Sequence, residues 1–419
     1  MTCVIAYNKR LFHLPTVCRT ACRVGVLLPL LAVVVAVAAC GGGKQEKTSA
    51  PWGEVADSVP SSSGFDLEQI VANGELIMLT LSGPDTYYDY HGRALGRQYM
   101  LCQRLAERVG VSLRVEVCRD TVDMVKRLCR GDGDVIAMPM DRKSLAALGD
   151  SVGKLEFCGQ KGDSASVNWV VGSGKPQLAE AINEWYRPSM LAEATKEEAF
   201  LLSAKSVRRR IYAPMLNRKG GVISRYDGLF MAYSRRIRWD WRLMAAQCYQ
   251  ESTFDPQAKS WAGACGLMQI MPSTAETLGL SMSQIHDPES NIAAASRYLA
   301  VLEGKFADIA DRNERINFVL ASYNGGYHHI RDAMALTSKH GGNPKRWEEV
   351  SQYVLGLASP AYYRDPVVKN GYMRGSETVD YVHKIRQRWR SYQGVRTPGG
   401  GASGLVPHKA VKRKQKYSI

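Results

Sequence analysis

Glu251 is the residue of the sequence whose type and position best fit acid–base chemistry. It is the next-to-last residue of segment 240–252, which begins with Asp240 as a candidate N-cap and is rich in good helix formers. Met244, Ala245 and Cys248 share one apolar stripe of this predicted helix, and Glu251 falls on nearly the same face. Such a carboxylate either snorkels to solvent at the helix end or lies in a partly desolvated pocket, where its pKa rises and it can act as a general acid. The pattern alone leaves both interpretations open.

Four motifs surround or follow this glutamate. They are Glu-Ser-Thr-Phe-Asp-Pro (251–256), Ser-Trp-Ala-Gly-Ala-Cys-Gly-Leu-Met-Gln-Ile-Met-Pro-Ser-Thr-Ala (260–275), Ala-Ser-Tyr-Asn-Gly-Gly (321–326) and Glu-Thr-Val-Asp-Tyr-Val (377–382). In this order they closely resemble the motifs of the lytic transglycosylases of the soluble-type (SLT) family. The resemblance implies a lysozyme-like helical domain that cleaves the β-1,4 bond between N-acetylmuramic acid and N-acetylglucosamine in peptidoglycan.

The residues are consistent with the chemistry that this resemblance implies. A glycosidase usually uses two carboxylates, one acid and one nucleophile or base. The motifs offer one good candidate, because Asp255 precedes Pro256 and is typical of a turn. One carboxylate suffices if the sugar supplies its own nucleophile. Glu251 would protonate the leaving oxygen and then accept the proton of the muramoyl C6 hydroxyl as it attacks C1, leaving a 1,6-anhydro sugar.

The resemblance also implies which residues contact the glycan. Ser260 would make a polar contact near the cleaved sugar, Gln269 would hydrogen-bond within the cleft, and Tyr323 would orient the catalytic carboxyl group. The full implied substrate-binding set is Ser260, Met268, Gln269, Met271, Tyr323, Asn324 and Glu377. Two alternatives stay open: Ser260 as a turn cap, and Glu377 as a helix-surface partner of Arg374 or Lys384.

Two other functions compete with the lytic transglycosylase. A goose-type lysozyme-like muramidase would use the same fold with water as the nucleophile. A cell-wall-binding lipoprotein with a vestigial catalytic domain would bind without cleaving, although the presence of Glu251, Gln269 and Tyr323 argues against it. The sequence leaves endolytic or exolytic action, the peptide-stem preference and the oligomeric state open.

The elements that position these residues form two regions joined by a predicted linker at 196–222. Helical periodicity dominates 223–395, whereas in 65–195 strands alternate with helices, which predicts a parallel sheet. The order of elements in 65–195 resembles the first lobe of periplasmic solute-binding proteins. The predicted fold class is therefore multidomain: a small α/β solute-binding-protein-like lobe followed by an all-α lysozyme-like (SLT) catalytic domain.

The α/β lobe is expected to lack its second half. Only residues 139–166 separate Met138, at the end of the preceding predicted strand, from the return strand at 167–171, and a full second lobe needs about a hundred residues. A ligand cleft between two lobes then cannot close. We therefore favour a scaffold or docking module over a sensor of muropeptides or amino acids.

The N-terminus has the pattern of an export signal. Residues 1–39 contain no acidic residue and end in an apolar run, and Val-Ala-Ala-Cys leads into three glycines. This resembles a bacterial lipobox in which Cys40 is diacylated, and Gly41 after it favours the outer membrane, facing the periplasm. A plain signal peptide or an uncleaved anchor is the alternative. Residues 40–64, rich in Gly, Ser and Pro, would be a flexible tether.

The positive charge does not indicate nucleic-acid binding. The 419 residues carry a formal +15, part of it in residues 1–39 and part in a basic tail, predicted to be disordered, at 396–419. For an exported protein we expect no nucleic acid as a partner. The expected partners are peptidoglycan glycan strands, the membrane through lipidated Cys40, and the cell-wall or division machinery. No metal-binding spacing occurs and no cofactor is predicted; cysteines of the globular part could form disulfides, with the pairing left open.

Overall fold

The computed structural model describes residues 65–146, 154–160 and 166–393. The predicted signal peptide, Cys40, the tether up to residue 64 and the tail from residue 396 lie outside the described residues. Within the described ranges no helix is both long and apolar enough to cross a membrane. All of these residues belong to one compact unit.

The first part of the structure is an α/β lobe. In chain order its elements are α1 (Leu67–Asn73), β1 (Glu75–Thr80), β2 (Tyr88–Tyr90), β3 (Arg93–Leu95), α2 (Arg97–Val109), β4 (Ser112–Val117), α3 (Thr121–Arg130), β5 (Val135–Ile136), α4 (Arg142–Ala146), β6 (Leu155–Cys158), β7 (Trp169–Gly172), α5 (Pro176–Trp185) and α6 (Ser189–Leu201).

Five of the described strands form a mixed sheet in the order β4-β1-β5-β7-β6. Strand β1 pairs in parallel with β4 and β5, but β7 runs antiparallel to both β5 and β6. The prediction of a parallel sheet is therefore wrong for this half of the lobe. The connection 159–168 between β6 and β7 is too short for the crossover that parallel neighbours need, which accounts for the antiparallel β6–β7 pair. Strand β6 falls in segment 139–166, for which no strand was predicted.

Strands β2 and β3 form a separate hairpin, which we name the 88–95 hairpin. Tyr90 pairs with Arg93 across a two-residue turn, His91-Gly92. Both turn residues have positive φ, 50° for His91 and 72° for Gly92. Two consecutive positive φ values are typical of the type I′ turn that best matches strand twist, and Gly92 adopts its φ without a steric penalty.

The second part is all-helical. In chain order its helices are α7 (Asp227–Ser234), α8 (Trp241–Ser252), α9 (Pro272–Thr277), α10 (Pro288–Lys305), α11 (Arg312–Gly325), α12 (Tyr327–Lys339), α13 (Trp347–Gly356), α14 (Pro360–Tyr363) and α15 (Gly375–Gln393). An α/β lobe followed by an all-α domain is the predicted fold class, and this class is confirmed.

Helix α8 is the buried centre of the helical domain. It packs against α7 and α15, and most of its side chains are buried. Asp240 accepts a hydrogen bond from the backbone N–H of Arg242 at 3.0 Å, so it is the N-cap that the sequence predicts. Trp389 of α15 donates from Nε1 to the same carboxylate at 2.9 Å. The start of α8 is thereby tied to α15.

The lobe extends further along the chain than the sequence indicated. Residues 196–201 were placed at the start of a linker, but they continue helix α6. Their Ala, Glu and Lys residues favour helix, and Met190 and Ala194 of α6 are buried where it packs against α2. Segment 196–201 is therefore the end of a helix that packs in the lobe.

The lobe and the helical domain share buried contacts. One hydrophobic cluster contains core residues of both parts, from Ile70 in α1 to Ile385 in α15. Ser82 Oγ, just after β1, accepts a hydrogen bond from the backbone N–H of Tyr372 at 2.9 Å. The rings of Tyr88 and Tyr372 meet edge to face at 5.0 Å. These contacts fix the lobe, and with it the 88–95 hairpin, against the helical domain.

Candidate active site

Glu251 lies in the last turn of α8 and lines a cleft of about 750 Å³. The preceding residues of its stripe, Met244 and Cys248, are fully buried, whereas Glu251 itself is partly exposed. The helix therefore carries its apolar stripe up to the wall of the cleft and presents a carboxyl group there. This is the partly desolvated position that favours a general acid.

The carboxyl group of Glu251 is held by Tyr381 of α15. Tyr381 Oη donates a hydrogen bond to Glu251 Oε1 at 2.5 Å, and Gln247 Nε2 donates to Tyr381 Oη at 3.2 Å. Tyr381 and Gln247 are buried, so the orientation of the hydroxyl is fixed. The family resemblance implies this orienting role for Tyr323, but the Tyr323 hydroxyl donates instead to the carbonyl of Met268, at 2.8 Å.

Burial raises the pKa of Glu251 to about 7, well above its ordinary value of 4.5. The hydrogen bond from Tyr381 and the nearby side chains of His91 and Arg209 act in the opposite direction and offset part of this effect. A carboxyl group with this pKa is protonated to a substantial extent near neutral pH, as proton donation to a leaving oxygen requires.

The chain turns sharply after Glu251. Thr253 and Phe254 have φ of 54° and 63°, a left-handed conformation that ends α8. Arg209 Nη1 donates to the backbone carbonyl of Glu251 at 3.0 Å. Asp255 is buried and accepts a hydrogen bond from the backbone N–H of Arg210 at 2.6 Å. Asp255 thus shapes the turn, in line with its interpretation as a turn residue.

The loop after α8, residues 258–271, places three of the predicted substrate-binding residues in the cleft: Ser260, Gln269 and Met271. Ser260 Oγ accepts a hydrogen bond from the backbone N–H of Ala264 at 3.0 Å, so it caps a turn while it lines the cleft. Gln269 Nε2 donates to the carbonyls of Ala258 and Gly266, at 3.2 and 2.9 Å. Both side chains therefore shape the loop as well as facing the cleft.

Asn291 braces this loop from within the core. Its Oδ1 accepts from the backbone N–H of Met268 at 2.8 Å, and its Nδ2 donates to the carbonyls of Cys265 and Ile285. Met268 itself is fully buried and is not among the residues that line the cleft, in contrast to its predicted role. Its side chain follows the buried face of the loop, while the next residue faces the cleft. Met271 is partly exposed and does line the cleft.

The end of α11 contributes Tyr323 and Asn324 to the same cleft. Asn324 Oδ1 accepts a hydrogen bond from Thr378 Oγ1 at 2.7 Å, which links α11 to α15. A Cβ at Gly325 would lie only 2.2 Å from Met373 Cε and 2.5 Å from Thr378 Oγ1. The glycine after Tyr323-Asn324 therefore permits the close approach of the two helices.

Glu377, on the first turn of α15, is a second carboxylate in the cleft. Tyr90 Oη of the 88–95 hairpin lies 2.9 and 2.8 Å from its two carboxylate oxygens, and His91 Nε2 lies 3.6 Å from Oε1. Burial acts to raise the pKa of Glu377, but its interactions with His91, Tyr90 and Arg374 outweigh burial and lower it. The pKa values of the two cleft glutamates are thus shifted in opposite directions, which distinguishes a proton donor, Glu251, from a carboxylate that is ionised near neutral pH, Glu377.

The structure brings most of the predicted site together. Of the residues predicted from the sequence, those that line the cleft are Glu251, Ser260, Gln269, Met271, Tyr323, Asn324 and Glu377. Four cleft residues that contact Glu251 or Glu377 had no predicted role: Tyr90, His91, Arg209 and Tyr381. Tyr381 lies four residues after Glu377, on the same helix face, and this spacing could have indicated it. The other three lie in segments without a motif.

The helical part matches a known family. Residues 228–345 match the family model described as the Transglycosylase SLT domain. The resemblance to this family is confirmed. Over 166 residues the chain is also 43% identical to the membrane-bound lytic murein transglycosylase F of Salmonella arizonae. This alignment covers 40% of the chain and 31% of that relative, so the chain spans less than a third of the relative's length.

Solved structures share only weak overall similarity with the chain. An inactive mutant of the lytic transglycosylase Slt from Pseudomonas aeruginosa is 20% identical, with 54% of this chain and 31% of that chain covered and a TM-score of 0.30. The arginine-bound form of domain 1 from TmArgBP is 21% identical, with 30% of this chain and 97% of that chain covered and a TM-score of 0.24. Scores this low establish no common fold.

Proposed function

We propose that the protein is a peptidoglycan lytic transglycosylase. It would cleave the β-1,4 bond between N-acetylmuramic acid and N-acetylglucosamine without water and leave 1,6-anhydro-N-acetylmuramic acid ends, in cell-wall remodelling. The observation that carries the proposal is Glu251, whose carboxyl group is held by Tyr381 at the wall of the cleft with its pKa raised to about 7. The match of residues 228–345 to the SLT domain supports the same chemistry.

One carboxyl group can perform both proton transfers. Protonated Glu251 donates its proton to the glycosidic oxygen as the bond from that oxygen to muramoyl C1 breaks. The resulting carboxylate then accepts the proton of the C6 hydroxyl as O6 bonds to C1. The proton that Glu251 loses in the first step is regained in the second, so the cycle consumes no water.

The other acidic residues that line the cleft are already engaged, which favours the sugar hydroxyl as the nucleophile. Tyr90 bonds Glu377, Lys384 pairs with Asp380, and Asp89 accepts a hydrogen bond from the backbone N–H of Gly92. A hydrolytic enzyme of the usual kind needs a second carboxylate that can activate water or attack C1. Such a carboxylate would have to give up one of these contacts.

The products of sacculus digestion test the proposal. Purified sacculi are incubated with the protein and the released muropeptides are identified by mass spectrometry. Anhydro-muropeptides support a lytic transglycosylase, whereas muramic acid with a reducing end, heavier by one water, would identify the goose-type muramidase instead. Binding without any release of muropeptides would support the vestigial cell-wall-binding lipoprotein.

The location of the protein is a separate part of the proposal. We infer that residues 1–39 are removed on export and that Cys40 is lipidated, which anchors the protein to the outer membrane facing the periplasm, within reach of peptidoglycan. The lipobox-like sequence supports this, and a curated relative is named as membrane-bound. Metabolic labelling with a fatty-acid analogue tests it: wild type should be labelled, and Cys40→Ala should not. Labelling of Cys40→Ala would exclude this anchor.

A further inference from the structure

The 88–95 hairpin belongs to the α/β lobe, yet its turn lines the cleft of the helical domain. Asp89, Tyr90, His91 and Gly92 all face the same cleft as Glu251. None of them lies in the SLT match at 228–345. The cleft therefore has one wall that the helical domain does not supply.

On one side of the cleft the hairpin contacts α15. Tyr90 Oη bonds both carboxylate oxygens of Glu377, and His91 Nε2 is 3.6 Å from the same carboxylate. The guanidinium of Arg374 lies 6.0 Å from the centre of the Tyr90 ring. Polar and cation–π contacts thus attach the hairpin to the first turn of α15.

On the other side the same hairpin contacts the 258–271 loop. The Tyr90 ring stacks on Trp261, with centroids 5.9 Å apart and planes 5° apart. Arg93 Nε donates to the carbonyl of Ala262 at 3.0 Å. A Cβ at Gly92 would lie 3.7 Å from Met271 Cε. Since α15 and this loop both line the cleft, the hairpin bridges two of the elements that form its walls.

The base of the hairpin is fixed. Tyr88 is buried, and its hydroxyl donates to Glu198 of α6 at 2.9 Å. Its ring packs against Tyr372 of the helical domain. At the other end, the backbone at Gly96, after β3, packs closely against the backbone at Thr86, before β2. A Cβ at Gly96 would lie 2.4 Å from the carbonyl oxygen of Thr86. Contacts to both parts of the molecule therefore hold the hairpin in one position.

We propose that the 88–95 hairpin is a fixed strap across the cleft and that it restricts cleavage to bonds near the ends of glycan strands. The interior of a long polymer can enter only a cleft that is open along one side, whereas a strand end can thread beneath a strap. Tyr90 and His91 are then residues that determine specificity for strand ends. This inference rests on the proposed lytic transglycosylase activity.

The distribution of cuts along the strand tests the strap. Wild type and the double variant Tyr90→Gly/His91→Gly, which loses the contacts to Glu377 and Trp261, digest sacculi of long strand length. The average length of the remaining strands is measured against the total of anhydro ends formed. When both proteins have formed the same total of anhydro ends, wild type should have released short products and left the remaining strands long. The double variant should have shortened the remaining strands several-fold more.

Two further variants make the result specific. Tyr90→Phe keeps the ring against Trp261 and should stay close to the wild-type pattern, which keeps the test decisive if the double variant does not fold. Arg119→Ala is the matched control in the lobe, because Arg119 is highly exposed and pairs only with Asp123 of α3 among the described ion pairs. It should cut like wild type.

A failure of the strap proposal can be told apart from a failure of the proposed function. Identical strand-length distributions for wild type and a folded double variant would overturn the strap, and so would internal cutting by wild type or by Tyr90→Phe at the level expected of an open cleft. A double variant that is faster on all strands with an unchanged distribution would show a plug instead. Absence of anhydro ends from wild type would refute the proposed function itself.

Discussion

The hydroxyl of Tyr381 donates a hydrogen bond of 2.5 Å to the carboxylate oxygen Oε1 of Glu251, across the packed pair of helices α8 and α15. The proposed acid thus comes from one helix and its positioning group from another. The geometry of the carboxyl group depends on how the two helices pack, and Trp389 and Asp240 fix this packing at the other end of α8.

Glu251→Gln should abolish most turnover while it preserves the fold. Glutamine has nearly the same shape and can still accept the hydrogen bond from Tyr381, but it cannot donate the proton. The expected loss in kcat on sacculi is roughly 10²–10⁴-fold, the usual contribution of a general acid. Glu348→Gln on α13 is the matched control, because its side chain is 84% exposed. Normal turnover by Glu251→Gln would show that Glu251 is not the general acid.

Tyr381→Phe should shift the pH profile as well as the rate. The hydrogen bond from Tyr381 lowers the pKa of Glu251, so its loss should raise that pKa further and move the alkaline limb of kcat/KM to higher pH. Loss of orientation should also reduce kcat, by about tenfold. The full pH profile, with thermal melting as the fold control, separates these effects. A lower rate with an unmoved limb would show that Tyr381 is only structural.

The wild-type activity should fall as the pH rises through about 7, because the protonated form of Glu251, the proposed proton donor, is then lost. The pH dependence of kcat on sacculi measures this fall.

The raised pKa of Glu251 should also make the stability of the fold depend on pH. A carboxyl group whose pKa is 4.5 unfolded and about 7 folded stabilises the fold below pH 4.5, and this contribution is lost as the pH rises through about 7. Urea unfolding of wild type and Glu251→Gln at several pH values should show it: the stability difference should change across this window. A constant difference would contradict the raised pKa.

Gly266→Ala should destabilise the loop that carries Gln269. Gly266 has φ of 80°, and a Cβ there would lie 2.4 Å from Asn291 Nδ2 and 2.6 Å from the carbonyl oxygen of Ile285. Backbone strain and overpacking together should cost about 2–5 kcal/mol of unfolding free energy. Gly279→Ala separates backbone strain from overpacking, because Gly279 has φ of 66° but nothing lies within 4 Å of a Cβ added there. It should cost only about 1–2 kcal/mol in the same denaturation experiment. Equal losses of unfolding free energy for Gly266→Ala and Gly279→Ala would show that the contact of the added Cβ with Asn291 and Ile285 is relieved by a small shift.

The sequence predicts the helical site well because its signals are local. Asp240 caps α8 and Glu251 continues the buried stripe, as the spacing indicates. The motifs place Gln269, Tyr323 and Glu377 in one cleft although they are far apart in the chain. Met268 is the exception, because loop backbone with positive φ at Gly266 and Gln269 breaks the simple alternation of inward and outward side chains.

The 88–95 hairpin could not be predicted in the same way. Its turn is His91-Gly92, and histidine in the first position hides the usual Asn-Gly or Asp-Gly signal for a type I′ turn. Each strand is three residues long, too short for a clear period of two. Its contact with Glu377 joins positions almost three hundred residues apart, which no local pattern encodes. Strand β6 was not predicted for a related reason: its four residues are too few to show a clear alternation of apolar and polar residues.

The hydrophobic cluster that the two parts share has a consequence for how the molecule unfolds. Because Tyr88, Tyr372 and their neighbours belong to one core, the lobe and the helices should melt as one cooperative unit, with a single calorimetric transition. Residues 223–395 expressed alone would expose the face around Tyr372 to water and leave Glu377 without Tyr90. We therefore expect residues 223–395 to be less stable alone than as part of the whole protein.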